Sequence, residues 1–439
     1  MALPKVLIIG QPFNNDTGGG ITLTSLFNGW DRDKLAVACS GYLILNNIDT
    51  NVCNTYFQLG HKEHKWLFPF NYMQRKYTSG LLKFDEKRIQ NMTIEKSGLR
   101  IKLIMKIFYP FLEFIGLYHY MFRTKLSDDF CRWLDDFKPD VIYDQPSTRD
   151  GILFCLDVHS YLKKPLILHM MDDWPSTISD KGIFKKFWNR KIDREFKILL
   201  DRTTILMSIS HEMAYEYKIR YGKDFITFHN AIDLDFWNQS QRKSYEIDDS
   251  PTILYAGRIG LGIESSLELF VRAIQQINEE NNSSVRFLLQ TQEKPQWISN
   301  YKSVIHCNFV SYSDLPKVFS EANFLLLPYD FTAESIKYIK YSMPTKAPEY
   351  MVSGTPIIIF APEETAIVKY AKRDEWAFVI TENRISEIAE SVKQLIADKE
   401  LRQRIAQNAI ETARKNHNSV DVRKKFKEII LSSLPASSE

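Results

Sequence analysis

Lys346 and Glu349 lie in the stretch of this chain richest in chemistry, YSMPTKAPEYMVSGTPIIIFAP from Tyr341 to Pro362. A lysine there supplies a cation for a phosphate, and a glutamate supplies a carboxylate able to take two hydroxyls of a ribose or sugar. The surrounding letters say how the pair is presented. Pro344 and Pro348 keep the preceding chain out of a continuous helix. Thr345 is a candidate N-cap, Glu349 falls in the first turn, and Gly354 fits the left-handed residue just past the helix end. Pro356 blocks a return to helix, and Ile357–Phe360 reads as a strand buried on both faces. A helix N-terminus at the carboxyl edge of a parallel strand is where anions dock. An ordinary αβ unit with a surface lysine and glutamate would carry the same letters.

Two further clusters could meet a phosphate. GQPFNNDTGGGITLTSL follows the first apolar run, with Gly18, Gly19 and Gly20 opening a helix. Glycines there let backbone amides approach a phosphate or sugar closely. The spacing is not the G-x-G-x-x-G of dinucleotide sites, which argues against NAD; a flexible turn is the plain alternative. In TILYAGRIG, Gly257 ends a strand and Arg258 stands at its carboxyl edge. That guanidinium could hold a diphosphate through paired hydrogen bonds, or make a surface ion pair. Asp-x-Asp occurs at Asp31/Asp33 and at Asp233/Asp235, and both read as structural rather than metal-binding.

The elements that must position these residues form two series of alternating strands and helices. The first runs from Val6–Gly10 through Leu35–Ser40, Asp140–Asp144, Leu166–Met170 and Thr204–Ser208 to Phe225–His229. The second runs from Ile253–Ala256 through Arg286–Thr291, Val304–Phe309, Phe324–Pro328 and Ile357–Phe360 to Ala377–Thr381. Helical patterns between the runs predict parallel sheets with helices on both faces. The polar segment Asn238 to Ser250 reads as a linker. The prediction is an α/β chain of two Rossmann-like domains facing a central cleft, with ligands at the carboxyl ends of the strands. The expected domains are 1–237 and 251–415, followed by a C-terminal segment, 416–439.

Length fits two domains, since 439 residues exceed one compact core. A formal net charge of +3 at pH 7 gives no general reason to expect nucleic-acid binding. The five cysteines have no Cys-x-x-Cys spacing, so neither a disulfide framework nor a zinc cluster is indicated and a reducing cytoplasm fits. Val6 to Gly10 is strand-length and does not read as a signal peptide. Lys102, Lys106, Glu113 and His119 make Ile101 to Phe122 a poor membrane span. Its basic flanks (Lys96, Arg100, Arg123, Lys125) and its aromatics suit either helices dipping into a membrane surface or core helices.

In combination these residues resemble the GT-B glycosyltransferases, specifically the retaining enzymes of glycosyltransferase family 4 (group 1). The resemblance covers most of the chain and is strongest after Pro165. It rests on the Gly18–Gly20 loop, on SISHEMAYEYKIRYG leading to FHNAIDLDFW with Asn230 and Asp233 in register, on Gly257–Arg258, and on Glu349, Tyr350, Met351, Gly354 and Pro356. Ala231 stands where the family has glycine.

The resemblance implies that Glu349 binds ribose hydroxyls of a nucleoside-diphosphate sugar, that Arg258 neutralises the departing diphosphate, and that Gly19 and Gly20 approach the donor. Fixed cations and amides would stabilise that leaving group, so no metal and no cofactor is expected. Two departures stand out. Tyr341 occupies the place of a usual glutamate, leaving Ser342 or the amides of Met343 to Lys346 to meet the sugar. A usual lysine after Gly-Arg is absent, and Lys346 is its replacement. In LILHMMDDWPST, the resemblance places His169, Asp172, Asp173 and Trp174 beside the acceptor. Asp172 or Asp173 would orient its hydroxyl and Trp174 would stack on a sugar. A helix cap at Asp173 and a core histidine at 169 are the competing readings. The last helix is expected to cross back to the first domain.

The expected catalytic residues are thus Arg258, Lys346 and Asp172. Gly19, Gly20, Gly257, Ser342, Thr345 and Glu349 join Arg258 and Lys346 in donor binding, while His169, Asp173 and Trp174 meet the acceptor. Expected partners are a nucleotide-sugar and a glycan or lipid-linked acceptor, in the cytoplasm or at the inner membrane face through 101–122. A nucleotide-sugar 2-epimerase, or an inactive nucleotide-sugar-binding scaffold, would share the donor features; turnover of nucleotide-sugar without acceptor marks the epimerase.

Overall fold

The computed structural model describes residues 3–15, 17–40, 48–73, 78–82, 103–178, 181–260, 262–281 and 284–435. The basic flank residues Lys96 and Arg100, and residues 101 and 102, lie outside these. The chain forms two compact units, 1–228 with 423–439, and 229–422.

The first unit contains β1 (Val6–Ile9), β2 (Leu35–Ser40), β3 (Tyr56–Leu59), β4 (His64–Trp66), β5 (Gly80–Leu82), β6 (Phe122–Thr124), β7 (Val141–Asp144), β8 (Leu166–Met170), β9 (Ile205–Ser208) and β10 (Ile226–Thr227). Eight of these make one sheet in the order β10-β9-β8-β7-β1-β2-β3-β5. Its pairs are parallel except β3 with β5. Runs such as VLII are buried at every position, as a sheet covered on both faces requires. The strand order reverses between β1 and β7, the position where such sheets open a crevice. The loop carrying Gly18–Gly20 leaves β1 at that point.

The second unit contains β11 (Thr252–Ala256), β12 (Arg286–Gln290), β13 (Val304–Cys307), β14 (Phe324–Pro328), β15 (Ile357–Phe360) and β16 (Phe378–Ile380). Their order is β13-β12-β11-β14-β15-β16, every pair parallel. The reversal here falls between β11 and β14. Gly257 and Arg258 leave β11 at its carboxyl end, and the helix Lys346–Val352 begins at that same edge before the chain descends into β15.

The segment expected as a linker, 238–250, is held against the second unit, and so are Ile232 and Trp237 before it. Ile232 and Trp237 are buried in the second unit's core with Phe319 and Tyr350. The Arg242 amide donates to Ser353 O at 2.8 Å, and its guanidinium donates to the carbonyls of Ser320 and Ala322. Those carbonyls end the helix Leu315–Glu321 and need donors, which is why a polar strap binds there. The boundary accordingly falls after Phe228.

The last helix, Ser419–Ser432, starts in the second unit and passes into the first at Arg423. There Phe426 is buried, meeting Phe27, Tyr143 and Phe228 edge-on at 5.0, 6.0 and 5.5 Å.

Residues 103–122 are buried on one side and exposed on the other. Phe108, Tyr109, Leu112, Ile115 and Tyr118 pack around a small cluster with Phe70 and Met121. Leu103, Ile107, Phe111, Phe114, Leu117 and Tyr120 face solvent. Among the described residues, no helix is long and apolar enough to cross a membrane.

Candidate functional site

Lys346 is the first residue of its helix, and its side chain folds back over the carboxyl end of β11. A Cβ built on Gly257 would stand 2.4 Å from Lys346 Nζ and 2.8 Å from Tyr255 Oη. The ammonium also lies over the Tyr255 ring, 5.9 Å from its centroid. Tyr255 Oη donates to Arg258 O at 2.6 Å and so holds the turn that carries Arg258. From the opposite side Tyr350, on the helix of Lys346, accepts the Ala256 amide at 3.1 Å. Two tyrosines thus lock strand end and helix start together, and Arg258 projects into solvent from the rim.

Electrostatics tie the group together. Burial holds Lys346 well below the usual lysine range, the Arg258 guanidinium adds to that, and the Glu349 carboxylate opposes it. Burial pushes Glu349 above the usual carboxylate range, with Lys346 pulling the other way. Lys346, Glu349 and Arg258 are therefore electrostatic neighbours at the carboxyl edge of the second sheet. Tyr312 joins them: the residue is exposed overall, but desolvation of its hydroxyl and the nearby Glu349 carboxylate push the phenol up to about 12. Its ring stacks on Phe236 at 5.3 Å with planes 5° apart. Nothing in the sequence signals Tyr255 or Tyr312, because each becomes relevant only through a neighbour far along the chain.

The local predictions around the helix hold in part. Gly354 has φ +73°, the left-handed conformation expected past the helix end. Thr345 makes no side-chain cap bond; its backbone is already helical, with ψ −27°, so its hydroxyl is not aimed at the first amides. Ser342 is partly exposed and its hydroxyl donates to Tyr338 O at 2.9 Å.

In the first unit Gly18–Gly20 form the opening turn of the helix Gly18–Phe27, capped by Thr17, which accepts the Gly20 amide at 3.1 Å. The glycines are explained by crowding. A Cβ at Gly20 would collide with the Asn14 side chain at 2.3 Å, and one at Gly19 would press on Gln11 at 3.1 Å and Gln145 at 3.4 Å. Asn14 is buried and accepts the Thr17 amide, so the loop is built rather than slack.

The segment after β8 departs from expectation. His169 is fully buried, its Nδ1 is 2.7 Å from Tyr143 Oη, and burial holds it at about 3, so it is a neutral core histidine rather than an acceptor contact. Asp173 is equally committed: Arg220 grips it with both Nη atoms at 2.9 and 3.1 Å, and Tyr217 and Ser176 donate at 2.9 and 2.7 Å. Trp174 is buried edge-on to Phe196 at 6.0 Å and offers no open face for a sugar. Of these four residues, Asp172 alone stands exposed.

Among the described residues no cluster of His, Cys, Asp or Glu could hold a metal ion. Asp31 pairs with Lys34 at 3.0 Å, and Asp233 caps the helix Leu234–Asn238 by accepting the Asp235 and Phe236 amides, so both Asp-x-Asp pairs serve local structure.

Residues 250–398 match the family described as "Glycosyl transferases group 1". No curated protein matches the chain in sequence. Solved structures match over nearly its whole length. Anabaena HepE in complex with UDP-glucose is 13% identical with a TM-score of 0.59, covering 98% of this chain and 100% of that one. Sucrose-phosphate synthase from Thermosynechococcus elongatus is 11% identical with a TM-score of 0.60, covering 97% and 98%. WaaG, a glycosyltransferase involved in lipopolysaccharide biosynthesis, is 12% identical with a TM-score of 0.55, covering 97% and 99%. The family match falls within the second unit, and the whole chain has the GT-B fold of two Rossmann-like domains.

Proposed function

We propose that this protein is a retaining, metal-independent glycosyltransferase that moves a sugar from a nucleoside diphosphate to a hydroxyl acceptor. The observation that carries this reading is the gathering of Lys346, Arg258 and Glu349 around Gly257, inside the matched segment 250–398. Breaking a glycosyl–phosphate bond builds negative charge on the departing diphosphate. Lys346 and Arg258 are two cations already in place to receive it, without reorganisation at the moment of reaction. Glu349 accepts from ribose hydroxyls and so sets where the diphosphate lies. With two protein cations there, the chemistry needs no divalent ion. The leaving phosphate takes the acceptor's proton, and Asp172 orients the acceptor hydroxyl.

The context is assembly of a polysaccharide or glycolipid in the cytoplasm, with a glycan or lipid-linked acceptor. HepE holding UDP-glucose and WaaG acting in lipopolysaccharide biosynthesis are in keeping with that choice. A lipid-linked acceptor is met at a bilayer, reached through residues 101–122.

Calorimetry with UDP, UDP-glucose and other nucleotide-sugars tests the donor site. Arg258→Ala should abolish donor turnover while the fold persists, and the product should keep the donor's anomeric configuration by NMR. Inversion of that configuration removes the retaining assignment. Turnover of a nucleotide-sugar without acceptor, and without release of nucleoside diphosphate, would point to a 2-epimerase instead.

A further inference from the structure

Large apolar side chains are exposed unevenly over this molecule. Of the 22 such residues among the described ones, 11 fall in three short stretches of the first unit, 64–73, 103–123 and 181–191. Scattered exposed apolar residues are ordinary, but a concentration of this kind marks a surface that meets something.

The three stretches form one body. β4 pairs with β6, and the Leu67 amide donates to Met121 O at 2.9 Å, joining the first stretch to the second. Ile183 N donates to Phe114 O at 2.9 Å, and Trp188 Nε1 donates to Gly116 O at 2.7 Å, joining the second to the third. A Cβ on Gly116 would strike Phe184 Cβ at 2.8 Å, so the two segments touch there. Beneath them Phe70, Leu112 and Met121 are buried. The inner aromatics therefore hold a platform, and the outer ones have no role in that core. Phe111 is 56% exposed, Phe184 50% and Phe187 57%, and Phe68 reaches 77%.

Charge identifies the partner. These stretches contain eight Lys or Arg and one acidic residue, Glu113, while the whole chain holds 57 basic and 54 acidic residues; two of the eight, Arg123 and Lys191, pair with Asp157 and Glu195 outside the stretches. Lys106, Lys185, Lys186 and Arg190 are exposed within the platform. Aromatic rings ringed by cations suit the boundary of an anionic bilayer, where rings enter the acyl region and lysines meet headgroup phosphates. A second protein copy would bring the same positive charge against itself.

We propose that 64–73, 103–123 and 181–191 form a monotopic docking surface for an anionic phospholipid bilayer, with Phe111, Phe184 and Phe187 as anchors and Lys185 and Lys186 as headgroup contacts. This rests on the membrane contact in the proposed function and extends it from one segment to a three-part platform with a stated lipid charge. It does not depend on the transfer chemistry.

The test is co-sedimentation of the whole chain with vesicles of phosphatidylcholine alone or with 30% phosphatidylglycerol, about the anionic content needed for a strongly negative surface. Binding to the anionic vesicles should be at least tenfold tighter and should weaken as salt rises. Lys185→Glu with Lys186→Glu should lose most of that preference, and Phe184→Ser with Phe187→Ser should lose binding to both. UDP affinity should be unchanged in both variants; if wild type binds vesicles but no nucleotide, the docking surface stands and the transferase reading falls. If the serine variant does not fold, Phe187→Trp supplies the reading, because its emission should shift to the blue on anionic vesicles. Equal binding to neutral vesicles overturns the anionic assignment. No vesicle binding by wild type, or dimers dispersed by the serine variant, overturns the docking surface.

Discussion

Gly257 and Lys346 occupy one another's space: a Cβ on the glycine would lie 2.4 Å from the lysine ammonium. The ammonium's position at the end of β11 thus requires a residue without a side chain, and the two are a matched pair. Gly257→Ala should therefore expel Lys346 while the neighbouring strands stay in register. Overpacking of this kind costs about 1–3 kcal/mol of stability, here at the low end because a lysine tip moves easily. Nucleoside diphosphate affinity should fall at least about tenfold. Calorimetry with UDP beside a thermal melt separates the two quantities. A lower melting temperature with affinity intact would show that Lys346 does not meet phosphate.

The Lys346–Glu349 pair should give donor binding a two-sided pH dependence. Burial lowers the lysine from its ordinary 10.5 and raises the glutamate from its ordinary 4.5. A bound diphosphate favours the ammonium, so affinity should decline as pH rises through the free lysine's pKa. Ribose hydroxyls favour the carboxylate, so affinity should also decline as pH falls through the free glutamate's pKa. Each limb falls at most tenfold per pH unit. Lys346→Met should flatten the alkaline limb and Glu349→Gln the acid limb in titrations of UDP against pH. A flat profile in the wild type would refute both assignments.

Asp173 should matter for stability, not for acceptor recognition. It is 3% exposed and holds Arg220 and Tyr217 together. Removing one partner of a buried pair costs roughly 3–5 kcal/mol, and Arg220 keeps Glu216 and some solvent, so Asp173→Ala should cost about 2–3 kcal/mol. Urea unfolding measures this. Acceptor KM, taken where the variant is folded, should match the wild type; a raised KM at unchanged stability would restore Asp173 to the acceptor site.

Those corrections show what the sequence could and could not carry. Val6–Ile9, Phe324–Pro328 and Ile357–Phe360 were legible because a strand buried on both faces has no polar letters to confuse it. β3 to β6 were not, since they have three or four residues each, and β5 lies at the sheet edge while β4 and β6 form a two-stranded ribbon. Lys346, Glu349 and Gly354 were readable because turn chemistry and site chemistry share one short stretch. His169, Asp173 and Trp174 were ambiguous for the same reason, since a carboxylate before Trp-Pro serves a cap, an ion pair or a substrate equally well. Only Tyr217 and Arg220, more than 40 residues on, decide between these. The exposed half of 103–122 was likewise invisible, because a helix apolar on several sides does not reveal which side is covered.

The crossover of the last helix should be sensitive to acid. His417 Nδ1 lies 2.8 Å from Asn230 O, so that nitrogen carries the proton, and Nε2 accepts from Tyr370 Oη at 2.9 Å. Beside it the Ile232 amide donates to His417 O and the Ser419 amide to Ile232 O, at 2.8 and 2.9 Å. These bonds lie beside both points where the chain passes between its units, after Phe228 and after Val422. Burial holds His417 at about 4, below the ordinary 6.5. The folded state thus prefers the neutral ring. Its contribution is complete above pH 6.5 and drains away toward pH 4, at about 1.4 kcal/mol per unit and about 3 kcal/mol in all. His417→Gln has no such titration, so the stability gap between wild type and variant in urea should narrow as pH falls from 7.5 to 4.5. Protection factors at the Ile232 and Ser419 amides, which correct for slower intrinsic exchange in acid, should fall over that interval in the wild type alone. A gap that stays constant with pH would mean that His417 is protonated equally in the folded and unfolded chain.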